Sequence, residues 1–251
     1  MDGDTELLIE LTRRAAKFLH RDYFELENLQ QSGNTNLEFC QRSISKVNEA
    51  LSTGLSKYYK NVINLNSEVT TDKLQGKAAV FDPIDSISNM ARSLPFFAVV
   101  LSVINFQGNK IIPEKIVINF PILGEVYYAE KGQGAWLERY SSNIAGNKRL
   151  RVSKCNNLDD SLIMMSNKKM LDEPVTKLEK AGGTNVRIFG SYAYIIAMLA
   201  SGKADCGIFE LKKPMQDGIS LLVQEAGGRS SVKDDFIVAT NFHLYEKISH
   251  N

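Results

Sequence analysis

The chain has 251 residues, 43% hydrophobic and 24% charged, an ordinary globular composition with enough length for one large or two modest domains. Lys and Arg number 30 against 29 Asp and Glu, so the net charge is +1 and no global field holds nucleic acid or a membrane surface. Cys40, Cys155 and Cys206 are scattered, with no CxxC or Cys/His spacing, which argues against structural zinc and a disulfide scaffold. In chain order, the acidic start from Met1 to Glu6 lacks the apolar stretch of a signal peptide. From Glu6 to Leu29, Leu8, Leu11, Ala15, Phe18 and Leu19 recur at helical spacing. Gln31 to Asn36 is polar and turn-forming, and Cys40, Ile44, Val47, Leu51, Leu55 and Tyr58 then fall on one face of a second helix.

After Val62 the period changes. Strands are predicted at Val62–Leu65, Ala78–Phe81, Phe96–Phe106, Ile111–Phe120, Gly124–Ala129 and Gly134–Leu137, a sheet backed by the two helices. The nearly apolar run Leu94 to Phe106 is short of the roughly 20 residues that cross a bilayer. The polar stretch Glu138–Lys148 reads as a junction between an N-terminal unit, 1–142, and a C-terminal α/β unit, 143–251. Strands at Ser161–Ser166, Val186–Phe189, Ala204–Phe209 and Ile237–Thr240 alternate there with helices near Glu173–Lys180, Ser191–Ser201 and Asp217–Ala226. The whole reads as soluble, cytoplasmic and reduced, with no direct nucleic-acid or membrane partner.

Only three histidines occur, so carboxylates are the favoured reactive groups. The informative segment is Phe81-Asp82-Pro83-Ile84-Asp85-Ser86-Ile87-Ser88-Asn89. Pro83 fixes its own φ and pushes Asp82 into an extended conformation at a strand end. Two carboxylates across such a stiff bend can converge on a hard cation such as Mg²⁺, and the N–H groups of a following helix would face an anion such as phosphate. The competing reading is an Asp that caps a helix after a Pro turn. Asp217, where another helix is predicted to begin, carries the same two readings. Glu210, at the end of a strand, and Glu68, in a loop, read equally well as solvated side chains.

The ordered set of segments resembles the inositol monophosphatase family, including its bacterial extragenic-suppressor (SuhB-type) members. The resemblance rests on Asp82 to Asn89 leading into Pro95-Phe96-Phe97-Ala98-Val99, on Gly124-Glu125-Val126-Tyr127 to Gly134-Ala135, on Arg187-Ile188-Phe189-Gly190-Ser191-Tyr192-Ala193, and on Asp217-Gly218-Ile219 followed by Glu225-Ala226-Gly227-Gly228. It implies a mixed α+β fold, a layered α-β-α-β-α sandwich, and hydrolysis of inositol monophosphate or a related small phosphorylated metabolite. It further implies two or three Mg²⁺ ions on Glu68, Asp82, the Ile84 carbonyl, Asp85 and Asp217, with Glu68, Asp82 and Asp85 catalytic. The backbone around Ser86 and Ile87 would bind phosphate, and Glu210 would contact a substrate hydroxyl. Gly190, Ser191 and Tyr192 would line the pocket. Inhibition by Li⁺ and a homodimer are also implied.

The chain departs from the family pattern where chemistry is concentrated. The family D-G-T-T is Asp85-Ser86-Ile87-Ser88 here, so a threonine that helps activate water is Ile87. The family V-T-x-x-D stretch, whose Asp bonds that threonine, matches Leu37 to Gln41, which puts Gln41 in place of the acid. Gln216 stands for a Trp, and Asn66-Ser67-Glu68-Val69 stands for the usual G-E-E, which leaves one Glu. The expectation is a slow phosphatase, with a metal- or partner-binding descendant, linked for example to transcription machinery, as the alternative.

Overall fold

The structure, a computed structural model, describes residues 2–29, 33–67, 74–108, 110–140, 146–167, 185–233 and 236–249. Two long helices, α1 (Gly3–Leu29) and α2 (Gly33–Leu55), pack against each other. They bury Leu8, Leu11, Ala15 and Leu19 from one helix and Cys40, Val47, Leu51 and Leu55 from the other, as their spacing requires. Phe18 and Tyr58, read as members of these stripes, are exposed, and α2 has ended before Tyr58. The second helix also starts earlier than expected and takes in Asn36, whose buried amide donates to the Ala91 carbonyl at 2.9 Å.

The first sheet holds seven strands in sequence order, β1 (Asn61–Asn64), β2 (Gly76–Asp85), β3 (Ala98–Gln107), β4 (Lys110–Phe120), β5 (Glu125–Glu130), β6 (Gly134–Arg139) and β7 (Gly146–Arg149). β1 pairs parallel to β2, and every later neighbour pair is antiparallel. A single turn of helix, α3 (Ile87–Met90), follows β2. Side chains alternate as a strand demands: Ala79, Phe81, Val99 and Leu101 meet the helix pair, while Ala78, Val80, Ala98 and Val100 join the core behind the opposite face. β7 pairs with β6, so this sheet runs past the junction read at 142/143.

The second sheet has the order β11-β12-β10-β8-β9, with β8 (Leu162–Met165), β9 (Asn185–Ile188), β10 (Cys206–Glu210), β11 (Arg229–Lys233) and β12 (Phe236–Thr240). Helices α4 (Tyr192–Ala200) and α5 (Met215–Glu225) lie between the sheets, and α6 (Phe242–Ser249) packs on β11 and β12. The layers are therefore helix pair, sheet, helix pair, sheet, helix, the expected sandwich. Each large side chain fully buried in it, such as Phe81, Phe120, Phe209 or Leu51, contributes about 1.5–3 kcal/mol. The helix expected near Glu173–Lys180 lies outside the described residues.

Candidate active site

Two residues three apart on a regular strand project to opposite faces. Asp82 and Asp85 escape that rule through a bulge. Asp82 lies opposite Val100 and Asp85 opposite Ala98, so three steps along β2 match two along β3. Pro83 sits inside this irregularity, where the lack of an N–H costs the ladder nothing. Ile84 turns to the helix-pair core, while Asp82 and Asp85 both reach α4 between the sheets.

The start of α4 fixes these carboxylates. Ser191 is its N-cap, accepts from the Tyr194 N–H at 3.0 Å and donates its hydroxyl to Asp85 Oδ2 at 2.9 Å. The Ala193 N–H donates to the same oxygen at 2.8 Å. Asp85 thus does cap a helix, but not the one that follows it in sequence. Its other oxygen, Oδ1, is buried with no hydrogen-bond partner among the described residues. Asp82 Oδ2 accepts from the Tyr192 hydroxyl at 2.9 Å, and Asp82 Oδ1 is 3.4 Å from the Asn66 amide nitrogen.

The turn after Asp85 is held by a residue whose role the sequence reading left unassigned. The Asn89 amide donates to the carbonyls of Phe96 and Phe189, both at 2.7 Å, and ties α3 to the strand end before α4. The eighth place of the Asp-Pro-Ile-Asp segment was the signal for it. Gly190 has φ +74°, and a Cβ there would stand 3.4 Å from Ser86 Oγ. Ser86 itself has φ 59° and ψ 62°, and its hydroxyl is buried without a partner. An L-residue in this region costs roughly 1–2 kcal/mol, which accounts for a family glycine at the position. Ser86→Gly should raise stability by about 1 kcal/mol after allowing for the greater freedom of glycine when unfolded. Thermal unfolding checks it, with an increase of roughly 2–4 °C expected; a fall would mean that the hydroxyl has a partner in solution.

Asp217 enters from the other side of the same layer. Pro214 occupies the N-cap of α5, so Asp217 is not a cap, and its Oδ2 is buried without a partner among the described residues. The next residue, Gly218, lies against Ser102 of β3, two residues from the Val100 that pairs with Asp82. Gly190 is exposed, Ser191 buried and Tyr192 half-buried, and Glu210 is exposed at the end of β10. Ile87 is half-buried against the helix-pair core, whereas Gln41 lies exposed on α2, so the structure lends no support to the two as a pair. Glu68 lies outside the described residues.

Electrostatics follow from burial. Desolvation pushes the Asp85 carboxyl up to about 8, opposed by the Ala193 N–H and assisted by the charge of Asp82. Burial also raises Asp82, against the donated Tyr192 hydroxyl, and raises Asp217, against nearby Lys213. Among the described residues no three His, Cys, Asp or Glu side chains are arranged to hold an ion as they stand. The donor chemistry nevertheless fits a hard cation: three acids between the sheets, two with a buried oxygen that nothing among the described residues satisfies.

Comparison with known proteins agrees with this construction. The family model described as "Inositol monophosphatase family" matches residues 2–231. The chain is 28% identical to an inositol-1-monophosphatase of Caulobacter vibrioides over 264 residues, covering 96% of this chain and 97% of that protein. It is 26% identical to the Nus factor SuhB of Escherichia coli over 250 residues, covering 95% and 87%. The crystal structure of the extragenic suppressor protein suhB from Bartonella henselae superposes with a TM-score of 0.79 at 25% identity, covering 99% of this chain and 98% of the other. With its five layers, its bulge-borne aspartates and a match over nearly its whole length, the chain belongs to the inositol monophosphatase family.

Proposed function

We propose that the chain is a Mg²⁺-dependent phosphomonoesterase of the cytoplasm, acting on inositol monophosphate or a related small phosphorylated metabolite, as a homodimer. One observation carries the reading: Asp85 of β2 and Asp217 of α5 each keep a buried oxygen with no partner among the described residues, in a chain of this family. Glu68, Asp82, the Ile84 carbonyl, Asp85 and Asp217 would hold two or three ions. When bound, Mg²⁺ would lower the pKa of an attacking water and stabilise charge on the leaving oxygen.

The chain's own residues do the rest. Ser191 and the Ala193 N–H hold Asp85 in one orientation, with Oδ1 left for a ligand. Backbone N–H groups around Ser86 and Ile87 bind phosphate, and Glu210 accepts from a substrate hydroxyl at the rim. By the family pattern Ile87 stands where a threonine hydroxyl would help to orient water, and turnover is slow for want of that hydroxyl. Exposed Gln41 has no part in this, and Ile87 alone accounts for it.

Phosphate release from inositol monophosphate and an aryl phosphate, with and without Mg²⁺ and with millimolar Li⁺, tests the proposal. Slow, Mg²⁺-dependent and Li⁺-sensitive release is expected. Ile87→Thr should raise kcat about ten-fold or more with little change in KM, since general-base assistance is typically worth roughly 10²–10⁴. No Mg²⁺-dependent release from wild type or variant would leave the second reading, a partner-binding protein, which the likeness to a Nus factor favours.

A further inference from the structure

Asp82 differs from the other two acids in one respect. Asp85 Oδ1 and Asp217 Oδ2 have no partner among the described residues, but both oxygens of Asp82 have one: the Tyr192 hydroxyl donates to Oδ2 at 2.9 Å and the Asn66 amide to Oδ1 at 3.4 Å. Tyr192 is the first residue of α4, directly after the Ser191 cap. Its ring lies over that of Phe209 in β10, with centroids 6.3 Å apart and planes inclined by 29°, so the second sheet supports the ring behind the hydroxyl. The helix start, the ring support and the bulge on β2 together aim this phenol at the acid. The family pattern has alanine at this place, and a methyl group offers no hydrogen bond to Asp82.

We infer that Tyr192 is a built-in competitor at the metal-facing carboxylate: its hydroxyl holds Asp82 Oδ2 by a hydrogen bond, and a divalent cation that takes the same lone pair of that oxygen binds at the expense of this bond. This rests on the phosphatase reading for the identity of the cation, but the competition is a property of the Tyr192–Asp82 bond. It explains how a chain can keep three desolvated acids folded without an ion. One acid is neutralised in part by a donated hydrogen bond, one is anchored at a helix start, and one has the nearby Lys213 charge and a backbone N–H.

The test is calorimetric titration of wild type, Tyr192→Phe and Asp85→Asn with MgCl₂ alone. Tyr192→Phe keeps the ring on Phe209 and removes only the donor. A hydrogen bond to a charged group is worth enough that its removal should tighten Mg²⁺ binding about ten-fold or more. Without metal the same variant should melt below wild type, because Asp82 Oδ2 loses its partner. In wild type, Mg²⁺ should produce a near-UV tyrosine difference spectrum that Tyr192→Phe lacks, a readout independent of activity and of the variant's stability. Unchanged or weaker Mg²⁺ binding in Tyr192→Phe, with wild-type binding that depends on Asp85, would overturn the competitor and leave the metal site standing. Binding in wild type that Asp85→Asn does not reduce would overturn the metal-site reading itself. No binding in wild type or in Tyr192→Phe would overturn both.

Discussion

Asp85→Asn is expected to stabilise the metal-free protein and to abolish its response to Mg²⁺. The amide oxygen can accept from the Ser191 hydroxyl and the Ala193 N–H as Asp85 Oδ2 does, and the amide nitrogen takes the place of the unpartnered Oδ1. What disappears is the cost of a desolvated charge. Burial holds the native carboxyl at about 8 against 3.8 in an ordinary setting, so the native state retains a proton that the unfolded chain releases. Stability from this group is full below 3.8 and is lost as pH rises through 8. The shifts of Asp82 and Asp217 have the same sign. In chelator, wild type should therefore weaken steadily between about pH 4 and pH 8. The advantage of Asp85→Asn should grow through the same window and level off above it, reaching on the order of a few kcal/mol. That corresponds to several degrees in Tm for a chain of this size. Addition of Mg²⁺ should reverse the order, because wild type gains by mass action and the variant does not. Thermal melts at pH 5, 7 and 8.5, each with chelator and with Mg²⁺, check both halves. A variant less stable than wild type in chelator at pH 8.5 would show that Asp85 is not a desolvated carboxylate in the metal-free protein.

The origin of this site was only half legible in the sequence. Asp82, Asp85 and Asp217 could be named because Pro83 and the family pattern mark them, and helical or alternating spacing disclosed the elements around them. The spacing did not disclose that Asp82 and Asp85 face the same way, since a period of two predicts the reverse and only the bulge restores them. Nor could it show which helix Asp85 caps, because the partner is 108 positions away in the chain. β7 and β11 went unread for a different reason. Gly146–Arg149 is exposed at every residue, Arg229–Lys233 is mostly polar, and both are outermost strands of their sheets, so neither shows an apolar alternation. The early start of α2 was masked by Gly33 and three polar residues, a sequence that reads as a turn but is drawn into the helix whose Asn36 bonds Ala91. Gln41 fell where a family pattern was laid over a helix without knowledge of its faces, and it turned out to point to solvent.

The placement of Asp217 depends on its neighbour, and Gly218→Ala should expose that dependence. In an exposed helix interior the change would help by about 1 kcal/mol. Here a Cβ would stand 2.3 Å from Ser102 Oγ and 2.6 Å from Ser102 Cβ, closer than real atoms approach. Ser102 is fully buried and its hydroxyl donates to the Lys115 carbonyl at 2.8 Å, so it cannot swing into solvent. Either α5 lifts from the first sheet or Ser102 gives up its bond. Overpacking costs roughly 1–3 kcal/mol, and a buried hydroxyl stripped of its partner costs roughly as much again. Net destabilisation of about 2–3 kcal/mol is expected once helix propensity is set against these terms. Because Asp217 precedes the clash directly, Mg²⁺ affinity should fall even in molecules that stay folded, whereas a purely global effect would leave it unchanged. Ser102→Gly removes both offending atoms, and combined with Gly218→Ala it should recover about half of the lost stability and most of the metal affinity. The coupling between the two substitutions should exceed the few tenths of a kcal/mol typical of independent sites. Denaturant unfolding and Mg²⁺ titration of the four proteins decide the matter. A Gly218→Ala protein as stable as wild type, or a double variant no better than the single one, would mean that α5 does not reach the sheet through this contact and that Asp217 is positioned by something else.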